Sequence, residues 1–435
     1  MSRAGYQPPA PNSKIIIVGA GAFGLSTAYA LSLKNKYDIW VFERQCIPSP
    51  DAASCDINKI MRMDYGKELM YMHMYMESLP MWEQWNKERA AKGRSPVFHN
   101  SIREAGYGHL IEEFRTPEAI AERYPQFKEA TKNGFNIAYL NKAGGWCDSS
   151  EACTHIHEKC VENGVHFVAG PEQGSFVKFQ HDEKISTKIT GIETKDGKLH
   201  TADLVIMATG SWTPGLVDSD KRLVATGQTV IQFKIPEPMR KMFECQPTWC
   251  ADLSVTGFYG FAVNHEGKMK IGYHSSGFVN LRDDKVSVPR TQVTHPTDSI
   301  PAPSISQFRK FLSKFLPVTT PLDISCARVC WYCDSVDGHY LIAPHPEYDN
   351  LIIASGDSGH GMKFIPNLGF KICHVIECVD SEYSRAWAWR DMPKDATYDG
   401  LRADSGPKVH LDLNVEDEYT RMAKDADLKA IKSSL

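Results

Sequence analysis

Residues 14–24 read KIIIVGAGAFG. The apolar, β-branched run up to Val18 suits a strand buried on both faces of a parallel sheet. It runs straight into Gly19, Gly21 and Gly24. The following LSTAYALSLK reads as a helix and YDIWVFER as a second strand, ending in Glu43 and Arg44, with Glu43 19 residues beyond Gly24. Each part has a physical task. The first glycine makes the tight turn, the second lets backbone approach a pyrophosphate, and the third allows close helix–strand packing. The helix N-terminus faces the phosphate charge, and Glu43 can accept from the ribose hydroxyls of an adenosine. A lone GxGxxG is a weak signal, but strand, helix, second strand and acid in this order make a strong one.

This unit binds ADP moieties and does not by itself separate NAD from FAD. Residues 202–214, ADLVIMATGSWTP, read as a buried strand entering a small-residue turn at Thr209-Gly210. GVHFVAG at 164–170, which includes Val168, reads as another strand of the same sheet. That arrangement favours FAD. Residues 225–275 alternate in strand fashion and predict an antiparallel second layer for substrate. The expected fold is therefore α/β (α+β, two-domain): a Rossmann-type FAD-binding domain with an interleaved substrate domain on an antiparallel sheet. The FAD-binding domain is expected from 14–84, 146–222 and 325–390, the substrate domain from 85–145 and 223–324. Residues 391–435 are expected to be a charged surface tail.

The composition sets limits. The chain has 435 residues, 42% hydrophobic and 23% charged, with a formal net charge of -4. Those values suit a soluble globular protein and argue against a nucleic-acid binder, which shows a basic excess. No apolar run approaches the ~20 residues of a membrane span, and the polar, Pro-rich start is no secretory signal. The twelve cysteines are expected to be mostly reduced. The chain ends in Ser433, Ser434 and Leu435, one substitution from the peroxisomal Ser-Lys-Leu address. A frayed polar tail is the other reading, so peroxisome and cytoplasm both stand.

Three further stretches bear on chemistry. RVCWYCD at 328–334 puts Cys330 and Cys333 three positions apart. A zinc site needs a second pair of ligands, and no second CxxC exists, so no metal is expected. A thioredoxin-like dithiol would open a helix, whereas the flanking residues are bulky β-formers. Residues 67–92 carry Met70, Met72, Met74, Met76 and Met81, which read as adaptable core packing. GDSGHG at 356–361 follows the strand LIIAS and precedes a helical pattern. Such a turn aims N–H groups at an anion, here the edge of a reduced flavin, with Gly359, Gly361 and Lys363 read as part of the turn and Lys363 able to serve either flavin or substrate.

Several segments together resemble the sarcosine oxidase-like flavoenzymes, a family that includes fungal amadoriases and the pipecolate and saccharopine oxidases. They are GAGAFG, DINKIMR (56–62), MKIGYHSSG (269–277), RVCWYCD and GDSGHGMKFIPNLG. The resemblance covers residues 14 to about 390 and implies FAD bound covalently through Cys330, with Cys333 left as core. It implies an oxidase acting on CH–NH donors: hydride passes from the carbon beside nitrogen to the flavin, the imine is hydrolysed, and O₂ becomes H₂O₂. Lys270 matches the lysine that activates O₂, and Lys59 a basic residue beside the flavin. Arg62 matches the arginine that holds a substrate carboxylate, and Lys363 its partner. Tyr273 and His274 after Lys270, with Arg62, resemble the sarcosine and pipecolate branch. DINKI, Cys-Trp and GDSGHG resemble the amadoriases. The implied substrate is a small secondary-amine α-amino acid of pipecolate or saccharopine type, acted on by a monomer. An Amadori compound is the second reading, and a non-oxidase or natural-product tailoring flavoprotein a third.

Overall fold

A computed structural model describes residues 6–100, 110–243, 246–392 and 410–430. The Ser433-Ser434-Leu435 tripeptide and residues 393–409 lie outside the described residues. The run around Ile16 is the strand Lys14–Val18, near the middle of a six-stranded sheet. Asp38–Glu43 and Leu204–Met207 pair with it in parallel on either side. His166–Ala169 and Leu351–Ser355 extend the sheet in parallel, and Leu341–Pro344 closes one edge antiparallel. Ile15, Ile16 and Ile17 are fully buried, as a sheet covered on both faces requires.

Helix Ala22–Ser32 packs on this sheet and crosses helix Leu368–Ile376. The crossing is close because Gly369 lies against Ser26: a Cβ at Gly369 would meet the Ser26 carbonyl oxygen at 1.8 Å. Ser26 Oγ accepts from Gly369 N at 2.7 Å and donates to Ile365 O at 2.7 Å.

The second layer is an antiparallel sheet in the order Trp249–Cys250, Phe258–Gly260, Lys268–Val279, Leu223–Lys234, Ile324–Ser335. Its odd-numbered residues Ile231, Phe233, Met269 and Ile271 build a core with Ile305, Phe308 and Leu312 of helix Ala302–Phe315. The alternate residues face the other way, toward the parallel-sheet half. This is the expected fold class.

Three details differ from the sequence reading. Ile324–Ser335, expected with the FAD-binding part, is the edge strand of the antiparallel sheet, pairing with Leu223–Lys234 along its whole length. Of the methionine-rich helix Leu69–Ala91, Met74 is buried but Met76 is exposed, and Tyr71, Tyr75, Trp82 and Trp85 fill most of the buried face. Residues 410–430 do more than lie on the surface. Leu411–Asp412 pairs with Lys268–Val279, and Leu413 is buried against Ala225 and Trp331.

Candidate active site

A cleft runs along the carboxyl ends of the parallel strands, where open α/β sheets bind ligands. Gly19, Gly21, Glu43, Arg44, Gly210, Gly359 and Gly361 all line it, as do Lys59, Tyr332 and Asp357. Gly19 has φ +104°, and a Cβ there would meet the Ala208 carbonyl oxygen at 2.5 Å. Gly24 lies outside the lining and serves packing: its Cβ would stand 1.9 Å from Gly19 O. Gly21 caps helix Ala22–Ser32 without a side-chain hydrogen bond, which leaves first-turn N–H groups free for phosphate. Glu43 is oriented by Ala20 N, which donates to Oε2 at 2.9 Å. Burial pushes its carboxyl pKa up. Arg44 pairs with Asp51 at 2.6 Å and stacks 4.2 Å from the Trp212 ring centroid. Val168 does not reach the cleft; it packs half-buried on the sheet. These residues fit FAD: a cleft wall where Gly19 and Gly359 leave no room for a Cβ, open helix-end donors and a buried carboxylate at one end.

The turn at 356–361 is built differently from expectation. Gly359 has φ +73°, and a Cβ there would meet the Tyr332 ring at 2.4 Å. Its N–H, however, donates to Asp357 Oδ2 at 3.1 Å, and Cys333 N donates to Oδ1 at 3.2 Å. Burial raises the Asp357 carboxyl to about 6. The helical stretch is also split into a short turn, Met362–Phe364, and the helix Leu368–Ile376.

Beside the cleft stands a buried charge cluster. The period-2 alternation of Ile324–Ser335 puts Arg328, Cys330 and Tyr332 on one face, and Lys270 shares that face of the sheet. Asp56 Oδ2 lies 2.8 Å from Lys270 Nζ, 3.1 Å from Lys59 Nζ and 3.2 Å from an Arg328 guanidinium nitrogen. Lys270 also donates to Asn58 O. Lys59 Nζ lies 3.6 Å from Cys330 Sγ, which connects the 3%-exposed Cys330 to the cleft lining. Burial, against the pull of Asp56, depresses Lys270 to about 8. Burial opposes the charge on Lys59 too, but Cys330 and Asp56 outweigh it and hold Lys59 above the usual lysine range. Asp56 is buried as well, yet its three cations keep the carboxyl well below the ordinary range. Asp56 and Arg328 sit inside quoted motifs, but sequence reasoning did not single them out. The signal was there: an acid three residues before a lysine, and a basic residue two before Cys330.

Tyr273 does not join this group. It lies three positions from Lys270, so it points to the opposite face, where it stacks on Phe258 at 4.6 Å between centroids. His274 is on the Lys270 side, its ring 6.2 Å from that of Tyr332.

Arg62 and Lys363 do come together, through Tyr65. The Arg62 guanidinium lies 4.8 Å from the Tyr65 ring centroid and donates to Asp64 O. Lys363 Nζ donates to Tyr65 Oη at 2.7 Å and His360 O at 2.9 Å. Lys363 is 3% exposed. Among the described residues neither cation has a carboxylate within ion-pair distance. Burial and then the nearby Arg62 push the Lys363 pKa far down. An anion there would relieve both effects.

A model of the FAD dependent oxidoreductase family matches residues 14–374. The chain is 28% identical over 409 residues to L-saccharopine oxidase of Schizosaccharomyces pombe, covering 87% of this chain and 94% of that protein. It is 25% identical over 371 residues to the monomeric sarcosine oxidase of Bacillus sp. (strain B-0618), covering 82% and 90%. The solved structure of fructosyl peptide oxidase from E. terrenum matches with a TM-score of 0.81 at 27% identity, covering 96% of this chain and 99% of that one.

Proposed function

The chain belongs to the FAD dependent oxidoreductase family, and from that premise we propose that it oxidises the C–N bond of a secondary-amine α-amino acid with O₂. The observation that carries this reading is the Arg62–Tyr65–Lys363 corner: two cations, one of them deeply buried, with no acidic partner within ion-pair distance among the described residues. A carboxylate of the substrate completes it. Arg62 offers a planar fork suited to two carboxylate oxygens, and Lys363 offers a point charge. Tyr65 fixes the distance between them. The parallel-sheet half is assigned to FAD and the antiparallel half to substrate. When bound, FAD accepts the electron pair and passes it to O₂. Cys330 is assigned as the covalent attachment point, Lys59 as the cation beside it, and Lys270 as the cation serving the oxygen step. His274 stays on the site face; Tyr273 is assigned to the core. The Bacillus relative is named a monomeric enzyme, and the same state is proposed here.

A second reading has its own support. The structural match to fructosyl peptide oxidase is close to full length on both chains, so a glycated amino acid is a competing substrate. One peroxide-coupled screen separates the two. Cyclic and N-alkyl α-amino acids, saccharopine-like amino acids, fructosyl amino acids and the decarboxylated amine of each are offered to the purified yellow protein. The proposal expects turnover of a non-glycated acid and strong discrimination against its decarboxylated amine. Turnover of fructosyl amino acids alone overturns the substrate class. Equal turnover of acid and amine overturns the carboxylate corner.

A further inference from the structure

Lys59, Lys270 and Arg328 reach one carboxylate oxygen from three separate segments, and that oxygen, Asp56 Oδ2, is buried. Three cations against one carboxylate leave a surplus of positive charge around an oxygen that is itself buried. Without Asp56 they would repel one another at close range in low dielectric. One of the three, Lys59, lines the cleft, and another, Lys270, is 1% exposed with its Nζ held between Asp56, the Asn58 carbonyl and the Phe261 ring. The groups that face Lys270 from neighbouring elements are thus Asp56, Lys59, Arg328, Cys330 and Cys147.

We propose that Asp56 is a positioning residue that keeps Lys270 protonated and aimed at the cofactor edge, so that it sets the pH range of the oxygen half-reaction. This rests on the assignment of Lys270 to that step. Asp56 itself touches neither substrate nor cofactor in this account. It acts by holding three cations at fixed points and cancelling part of their mutual repulsion. Removing its charge lets the weakest-held proton go first. That proton is on Lys270, the most deeply buried of the three.

The test needs no knowledge of the substrate. Holoenzyme is reduced photochemically and mixed with O₂ from about pH 6 to about pH 10, and the reoxidation rate is followed as a pH profile. Visible absorbance of the oxidised chromophore is titrated over the same range as a readout independent of turnover. Asp56→Asn should move the alkaline limb of reoxidation down by about one pH unit or more, so that at the wild-type midpoint the rate falls by about fivefold or more. It should also lower the ionisation midpoint of the oxidised chromophore, because the site gains net positive charge. Asp56→Glu should restore part of both shifts. Should Asp56→Asn fail to fold, Arg328→Met gives the opposite sign: with one competing cation gone, the limb moves up. An unmoved limb in Asp56→Asn, or in Arg328→Met where that variant stands in, overturns the inference while Lys270→Met still slows reoxidation. If Lys270→Met itself leaves reoxidation unchanged, the oxygen assignment falls first and the inference with it.

Discussion

Cys330 and Cys333 point to opposite faces of the strand Ile324–Ser335. Cys330 packs with Val230 and Tyr332 on the face that carries Arg328, whereas Cys333 is fully buried among Ile16, Met207 and Ile353 under the parallel sheet. A spacing of three on a strand with period 2 separates side chains. The two sulfurs therefore serve unrelated ends, and the CxxC spacing carries no dithiol or metal chemistry.

Their substitutions should diverge. Cys330→Ala should release the yellow colour into the supernatant when the protein is precipitated with acid. Cys333→Ala should keep the colour in the pellet and lose about 1 kcal/mol of stability, as for one buried heavy atom removed from a core. Colour in the wild-type supernatant would end the case for a tether.

Lys270 lies near 8, depressed first by burial. Its ammonium form therefore predominates below that pH and is lost above it. Reoxidation of the reduced enzyme should be fast at neutral pH and decline through about pH 8. Lys270→Met should be slow throughout and should flatten the profile. A profile for Lys270→Met that still declines through the same range would place the titrating group elsewhere.

Truncating Arg62 should remove a desolvated charge pair with the substrate carboxylate. The expected loss is about 2–5 kcal/mol. In kcat/KM that is roughly 30- to several-thousand-fold. The thermal midpoint should move little, since Arg62 is half-buried and its one strong hydrogen bond is to the neighbouring Asp64 carbonyl. Preference for the acid over the decarboxylated amine should vanish in Arg62→Ala. A retained preference would count against the corner.

Two glycines of the first turn, Gly24 and Gly21, should fail in different ways. Gly24→Ala forces a methyl to 1.9 Å from Gly19 O, so it should destabilise the fold by about 1–3 kcal/mol or more. At Gly21 the nearest atom to an added Cβ is Ser54 Oγ at 3.4 Å, and the residue lines the cleft. Gly21→Ala should fold normally by circular dichroism and carry less flavin. Equal flavin content in both variants would break the division of labour between packing and binding.

The dinucleotide unit was legible in the chain itself because its requirements are local. A turn at φ +104°, a helix start free of side-chain caps and an acid at the end of the second strand each follow from residues within 30 positions. The antiparallel layer was equally legible, since alternation along Leu223–Lys234 and Lys268–Val279 records which side is core. What only the tertiary structure decided is where separate segments meet. Asp56 gathers cations from its own segment, from Lys268–Val279 and from Ile324–Ser335, across separations of up to 272 residues. No pattern along the chain announces such a convergence, because ion pairing depends on distance in space and on shared burial. The same holds for Tyr273, whose motif match suggested the site but whose strand parity turned it, half-buried, against the apolar core on the other face. It holds too for Lys363, whose buried charge becomes informative only when its surroundings prove to contain Arg62, Tyr65 and His360 and, among the described residues, no carboxylate within ion-pair distance.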